Sequence, residues 1–95
     1  MAKTRVFDAA EYLDSPEMIA EYLTEALETD DAAFIVKAIN TVARAQGMAG
    51  VAETAGVERT ALYRSLGGGA KPEFETIRKV LGALGVQLVA KPRAA

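Results

Sequence analysis

Apolar residues recur at spacings of three and four along most of the chain, and this pattern predicts an all-α domain. Met18, Ile19, Tyr22, Leu23, Ala26 and Leu27 form the first apolar stripe. Ser15-Pro16-Glu17 opens it with a hydroxyl N-cap, a proline where no N–H is missed, and an acid at the positive end of the helix dipole. That helix is expected to run to about Glu28. Phe34, Ile35, Ala38, Ile39 and Val42 make a second stripe, capped by Asp30 or Asp31, reaching about Gln46 and stopped by Gly47. A last helix opens at Pro72-Glu73, occupies about residues 73–84 with Phe74, Ile77, Leu81 and Leu84 inward, and closes at Gly85.

Between these lies the stretch 48–66, which reads as a helix-turn-helix. A first short helix covers about Met48 to Ala55, a turn follows at Gly56 to Glu58, and a second helix spans Arg59 to Leu66. Val51, Ala55, Val57 and Leu62 are spaced to share a core, and Ala52 sits where the second helix passes closest. Gly56 falls where the first helix must end with positive φ, a conformation that a Cβ makes costly. Arg59, Thr60, Tyr63 and Arg64 are left on the outer face of the second helix, the face that enters a DNA major groove in this motif. The same spacing also fits an ordinary corner of two amphipathic helices with solvated arginines, since folds are reused for unrelated tasks.

The two ends are less regular. Thr4 to Phe7 and residues 86–90 are short β-compatible runs, candidates for strands that would pair with each other, with a second copy or with a partner's sheet. Asp8 is placed to cap a short helical turn through Tyr12 or Leu13, which brings the expected helix count to five or six.

Length and composition narrow the picture. The chain has 95 residues, about half of them hydrophobic, which suits one folded domain with a modest core and makes a homodimer the expected assembly. The net charge of −2 hides a division: residues 1–34 carry nine Asp/Glu against two Lys/Arg, whereas residues 35–95 carry four against nine. Glu17, Glu21, Glu25 and Glu28 line the outer face of the first helix, and no Lys or Arg lies between Arg5 and Lys37 to offset them. Like charges at i,i+4 disfavour a helix by about 0.2 to 0.5 kcal/mol per pair. A face kept acidic at that cost is either a solubilising surface or a docking surface for a basic partner.

Several chemistries are excluded or disfavoured. Without cysteine or histidine, and with Ser15 and Ser65 the only serines, no Ser-His or Cys-His catalytic pair can be assembled, so no enzyme is expected. Asp30-Asp31 lacks a third ligand at calcium-loop spacing and reads as a cap, so no metal or other cofactor is expected. The run Gly67-Gly68-Gly69 before Lys71 has neither a GK[ST] sequence nor a preceding strand, as a phosphate-binding loop requires. No apolar run approaches a membrane span and the N-terminus has no signal-peptide core, which points to a cytoplasmic protein with no membrane partner.

The blocks FDAAEYL (7–13), SPEMIAEYLTEAL (15–27), VARAQGM (42–48), AGVERTALYRSL (55–66) and TIRKVLGALGVQL (76–88) together resemble the family of probable addiction module antidote proteins. The helix-turn-helix of that family belongs to the XRE/Cro class. The resemblance implies an antitoxin that binds and neutralises a small basic toxin of the RelE/ParE superfamily and represses their shared promoter on operator DNA. On this reading Arg59, Thr60, Tyr63 and Arg64 face the bases, Lys71 contacts phosphate, and Glu17, Glu21, Glu25 and Glu28 receive the toxin. Arg44, Arg78 and Lys79 are further candidates for phosphate contact. Two positions depart from the family pattern: Glu58 stands where a Ser or Thr cap is common, and Glu73 stands at the cap of the last helix. Stand-alone repression without a toxin, and a protein-interaction domain without DNA binding, are the alternative functions.

Overall fold

A computed structural model describes residues 13–94. They form five helices: α1 (Pro16–Leu27), α2 (Ala32–Gln46), α3 (Met48–Ala55), α4 (Arg59–Ser65) and α5 (Phe74–Ala83). The expected turn at Asp8–Tyr12 and the expected strand at Thr4–Phe7 lie outside the described residues.

Each helix boundary has a local cause. The Ser15 hydroxyl accepts a hydrogen bond from the Met18 amide at 3.2 Å, and the Asp31 carboxylate accepts one from the Phe34 amide at 3.2 Å, so α1 and α2 each gain a partner for an amide that the helix itself leaves unpaired. Asp31, not Asp30, is the cap of α2. Asp30 takes positive φ (57°) in the turn before it, where the Thr29 hydroxyl donates to the Ala26 carbonyl and accepts from the Asp31 amide. Gly47 alone joins α2 to α3 at φ 99°, and its carbonyl accepts the Val51 amide to start the new helix. α3 ends at Gly56 (φ 76°, ψ 31°), with the Gly56 amide bonded to the Glu53 carbonyl and the Val57 amide to the Ala52 carbonyl, a Schellman closure.

α3 is the hub: it packs against α2, α4 and α5, while α1 packs on α2. Its sequence, MAGVAETA, explains how eight residues serve three neighbours, because small side chains let helix axes approach. Val51 and Ala52 are buried in it, as their spacing predicts. Around them, Ile19, Val42, Leu62, Leu66 and Val80 fill the core with almost no exposure. The amide side chain of Gln46 donates to the Leu13 carbonyl at 2.6 Å and ties the chain ahead of α1 to the end of α2.

Five expectations need correction. Residues 86–90 form no strand: among the described residues no strand lies beside them, and an isolated run of this length has no ladder to stabilise it. Phe34 and Phe74 do not point inward. Each sits in the first turn of its helix, with 48% and 67% of its surface exposed. Met18 and Leu27 lie at the edges of the α1 stripe and are also exposed, so the buried face of α1 narrows to Ile19, Leu23 and Ala26. In α5 the residue most deeply buried is Val80, with Leu81 beside it, whereas Ile77 is half-buried. Ala55 and Val57 are half-buried as well, at the margin of the core.

Candidate functional site

α4 is placed by its inner face. Leu62 is fully buried and Leu66, which caps the helix, is nearly so, while Ala61 and Ser65 are half-buried. At about 100° per residue this leaves positions 59, 60, 63 and 64 on the opposite face. Arg59, Thr60, Tyr63 and Arg64 are all exposed there, Tyr63 by 52%. The α3–α4 turn fixes the direction of this face, because the Glu58 carbonyl accepts the Leu62 amide at 2.9 Å directly after the Gly56 reversal. Glu58 occupies the N-cap in an extended conformation, and its side chain bonds to no amide of α4. Glu73 does the same at α5.

The structure brings two of the candidate cations to one groove. Arg64 and Ser65 from α4 face Lys71, Glu73 and Thr76 from the loop and first turn of α5 across an open depression. Arg59, Thr60 and Tyr63 lie outside it, on the same outer face of α4 as Arg64. Among the described residues, no carboxylate lies within ion-pair distance of Arg59, Arg64 or Lys71. All three side chains are exposed, and none is offset by an ion pair within this set of residues. Of the further candidates, Lys79 is engaged with Glu75 one turn away at 3.6 Å, and Arg44 and Arg78 are exposed at the end of α2 and on α5.

The acidic set lies elsewhere. Glu17, Glu21, Glu25 and Glu28 are all exposed on α1, away from the Ile19, Leu23 and Ala26 stripe that meets α2. The main packing partner of α1 is α2, whereas α4 and α5 pack mainly on α3, so the carboxylates and the α4 cations sit on different helices of the fold.

Sequence reasoning missed two residues that return to the end of α1. Lys91 approaches Glu28 at 3.9 Å, and Arg93 donates to Asp30 at 2.9 Å. That hydrogen bond and the charge of Asp30 raise the Arg93 guanidinium pKa above its ordinary value. The basic pair around Pro92 was visible, but nothing local says that it returns to a turn 63 positions earlier. No cluster of three or more metal-ligating side chains occurs among the described residues, and no described helix is long and apolar enough to cross a membrane.

Comparison with known proteins adds a family. The family model described as "Probable addiction module antidote protein" matches residues 3–92. An uncharacterized protein of Haemophilus influenzae (strain ATCC 51907 / DSM 11121 / KW20 / Rd) is 43% identical over 81 residues, covering 85% of this chain and 84% of that protein. No solved structure matches significantly.

Proposed function

Because the chain belongs to the family of probable addiction module antidote proteins, we propose that it is a cytoplasmic antitoxin with two working surfaces. One neutralises a small basic toxin of RelE/ParE type, and the other represses the shared operon by binding its operator. The family implies a non-enzymatic regulatory protein with a toxin as partner. The observation that carries the two-surface reading is the segregation of charge: exposed cations on α4 and just ahead of α5, with no ion-pair partner among the described residues, and carboxylates on α1.

In this reading α3 and α4 form an XRE/Cro-type helix-turn-helix, and α4 lies in the major groove. Arg59 and Arg64 present guanidinium forks suited to the two acceptors of guanine, and each well-formed bidentate contact contributes about 1 to 3 kcal/mol of discrimination. Thr60 and Tyr63 add shorter polar and apolar contacts. Lys71, across the groove from Arg64, supplies a point charge to a phosphate, which sets register without reading sequence. Seven helical residues read only a few base pairs. Two copies on a palindrome, with half-sites about one helical turn apart, complete the recognition.

The toxin is received on α1. Glu17, Glu21, Glu25 and Glu28 create a negative field along one face, which speeds encounter with a basic surface and disfavours partners of like charge. A pull-down with the product of the neighbouring gene, followed by gel shifts on the upstream DNA with and without that product, tests both halves. Capture of the basic protein and a shift that weakens steeply with salt support the reading. A chain that binds neither refutes it.

A further inference from the structure

We infer that the C-terminal segment, residues 86–93, is a displaceable strap that lies along α1 and occupies the end of its acidic face until a basic partner takes its place. The inference rests on the proposal that α1 receives such a partner.

Three contacts trace the path of the strap. At its root, Gly85 reverses the chain with φ 85°, Val86 packs on the core, and a methyl group built on Gly85 would stand 3.5 Å from the Pro16 ring, at the first residue of α1. Pro16, Glu17 and Ala20 then face Gly85, Val86 and Gln87 across a shallow groove. At the far end Lys91 meets Glu28 and Arg93 meets Asp30, just beyond the last residue of α1. The lengths agree: Pro16 to Glu28 spans roughly 18 Å as helix, and Gly85 to Lys91 spans roughly 20 Å when extended. The segment is thus stretched along α1 from its first turn to its last.

How it is held says what it does. Beyond the Val86 amide, which bonds to the Leu81 carbonyl, no backbone hydrogen bond holds this segment among the described residues. Leu88 and Val89 are exposed, by 42% and 74%, so little apolar area fastens it. Both ion pairs lie in solvent, where such pairs contribute little and are screened by salt. The strap therefore exchanges between held and released states. It places two cations on carboxylates that a basic partner would otherwise meet, and being attached to the same chain it competes without dissociating. A strap closed half to four-fifths of the time weakens apparent affinity for the acidic face by about two- to fivefold.

The chain has no cysteine, so Ala94→Cys in the full chain gives a single spin-label site. With the strap held, the label broadens the amide signals of residues 24–31, and titration with decalysine restores them. The double variant Lys91→Gln/Arg93→Gln binds decalysine about two- to fivefold more tightly than the wild type. The variant Arg78→Gln/Lys79→Gln, which loses the same charge away from the strap, changes by less than half as much. Broadening that persists at saturating decalysine, or equal tightening in the two double variants, overturns the strap. The toxin-docking reading fails on a separate arm, in which the neighbouring gene product binds Glu17→Gln/Glu21→Gln/Glu25→Gln as tightly as wild type.

Discussion

The amide of Val57 donates to the carbonyl of Ala52 at 3.0 Å, across a Gly56 that takes left-handed backbone angles. This bond sets where α4 begins relative to α3 and hence the direction in which Arg59 and Arg64 point. A Cβ at Gly56 would meet nothing within 4 Å, so Gly56→Ala loses stability through backbone strain alone, by about 1 to 2 kcal/mol. Gly50 lies inside α3 with equally open surroundings and no positive φ, and Gly50→Ala should gain about 0.5 to 1 kcal/mol. Thermal or urea denaturation of the two variants checks the contrast in sign.

The caps give a second pair. Asp31→Ala removes the acceptor of the Phe34 amide and should cost about 1 kcal/mol. Glu58→Ser, at a cap whose present side chain makes no such bond, should gain about 0.5 to 1 kcal/mol in the same assay. The serine also removes a carboxylate from the foot of α4, so operator affinity should rise.

Leu62→Ala tests the anchor of α4. Leu62 is fully buried opposite the exposed arginines, and its truncation should cost about 2 to 5 kcal/mol by denaturation. If the stability is unaffected, α4 is not seated by this residue.

The helices were legible where a local device announced them: the Ser15 and Asp31 caps, the Gly47 and Gly56 reversals, and the three- and four-residue spacing of Ile19, Leu23 and Ala26. The outward set on α4 followed from the same arithmetic once Leu62 was taken as the inner residue. Phe74 was expected inward and Val80 was passed over because both fit the helical period of α5, and only the packing of α3 on α5 decides which part of that face is covered. Residues 86–90 have strand composition, yet a strand is a property of two segments, and its partner cannot be read from one of them. The return of Lys91 and Arg93 to Glu28 and Asp30 was illegible for the same reason: the contact closes a loop of more than sixty residues and leaves no periodic trace.

Lys71 and Arg64 line one groove but should behave differently on DNA. Lys71→Ala should weaken binding about equally on operator and unrelated duplexes and reduce the slope of log affinity against log salt by about 1. Arg64→Ala should lower the preference for operator over unrelated DNA by a factor equivalent to about 1 to 3 kcal/mol. Anisotropy titrations at several salt concentrations separate the two effects.

The most direct test of the two-surface account is a crossed measurement of operator and toxin affinity on two variants at one salt concentration. Arg64→Ala should weaken operator binding and keep wild-type affinity for the neighbouring gene product, while Glu17→Gln/Glu21→Gln/Glu25→Gln should weaken affinity for that product and keep the operator. Two variants that each impair both activities, or neither, would contradict the account.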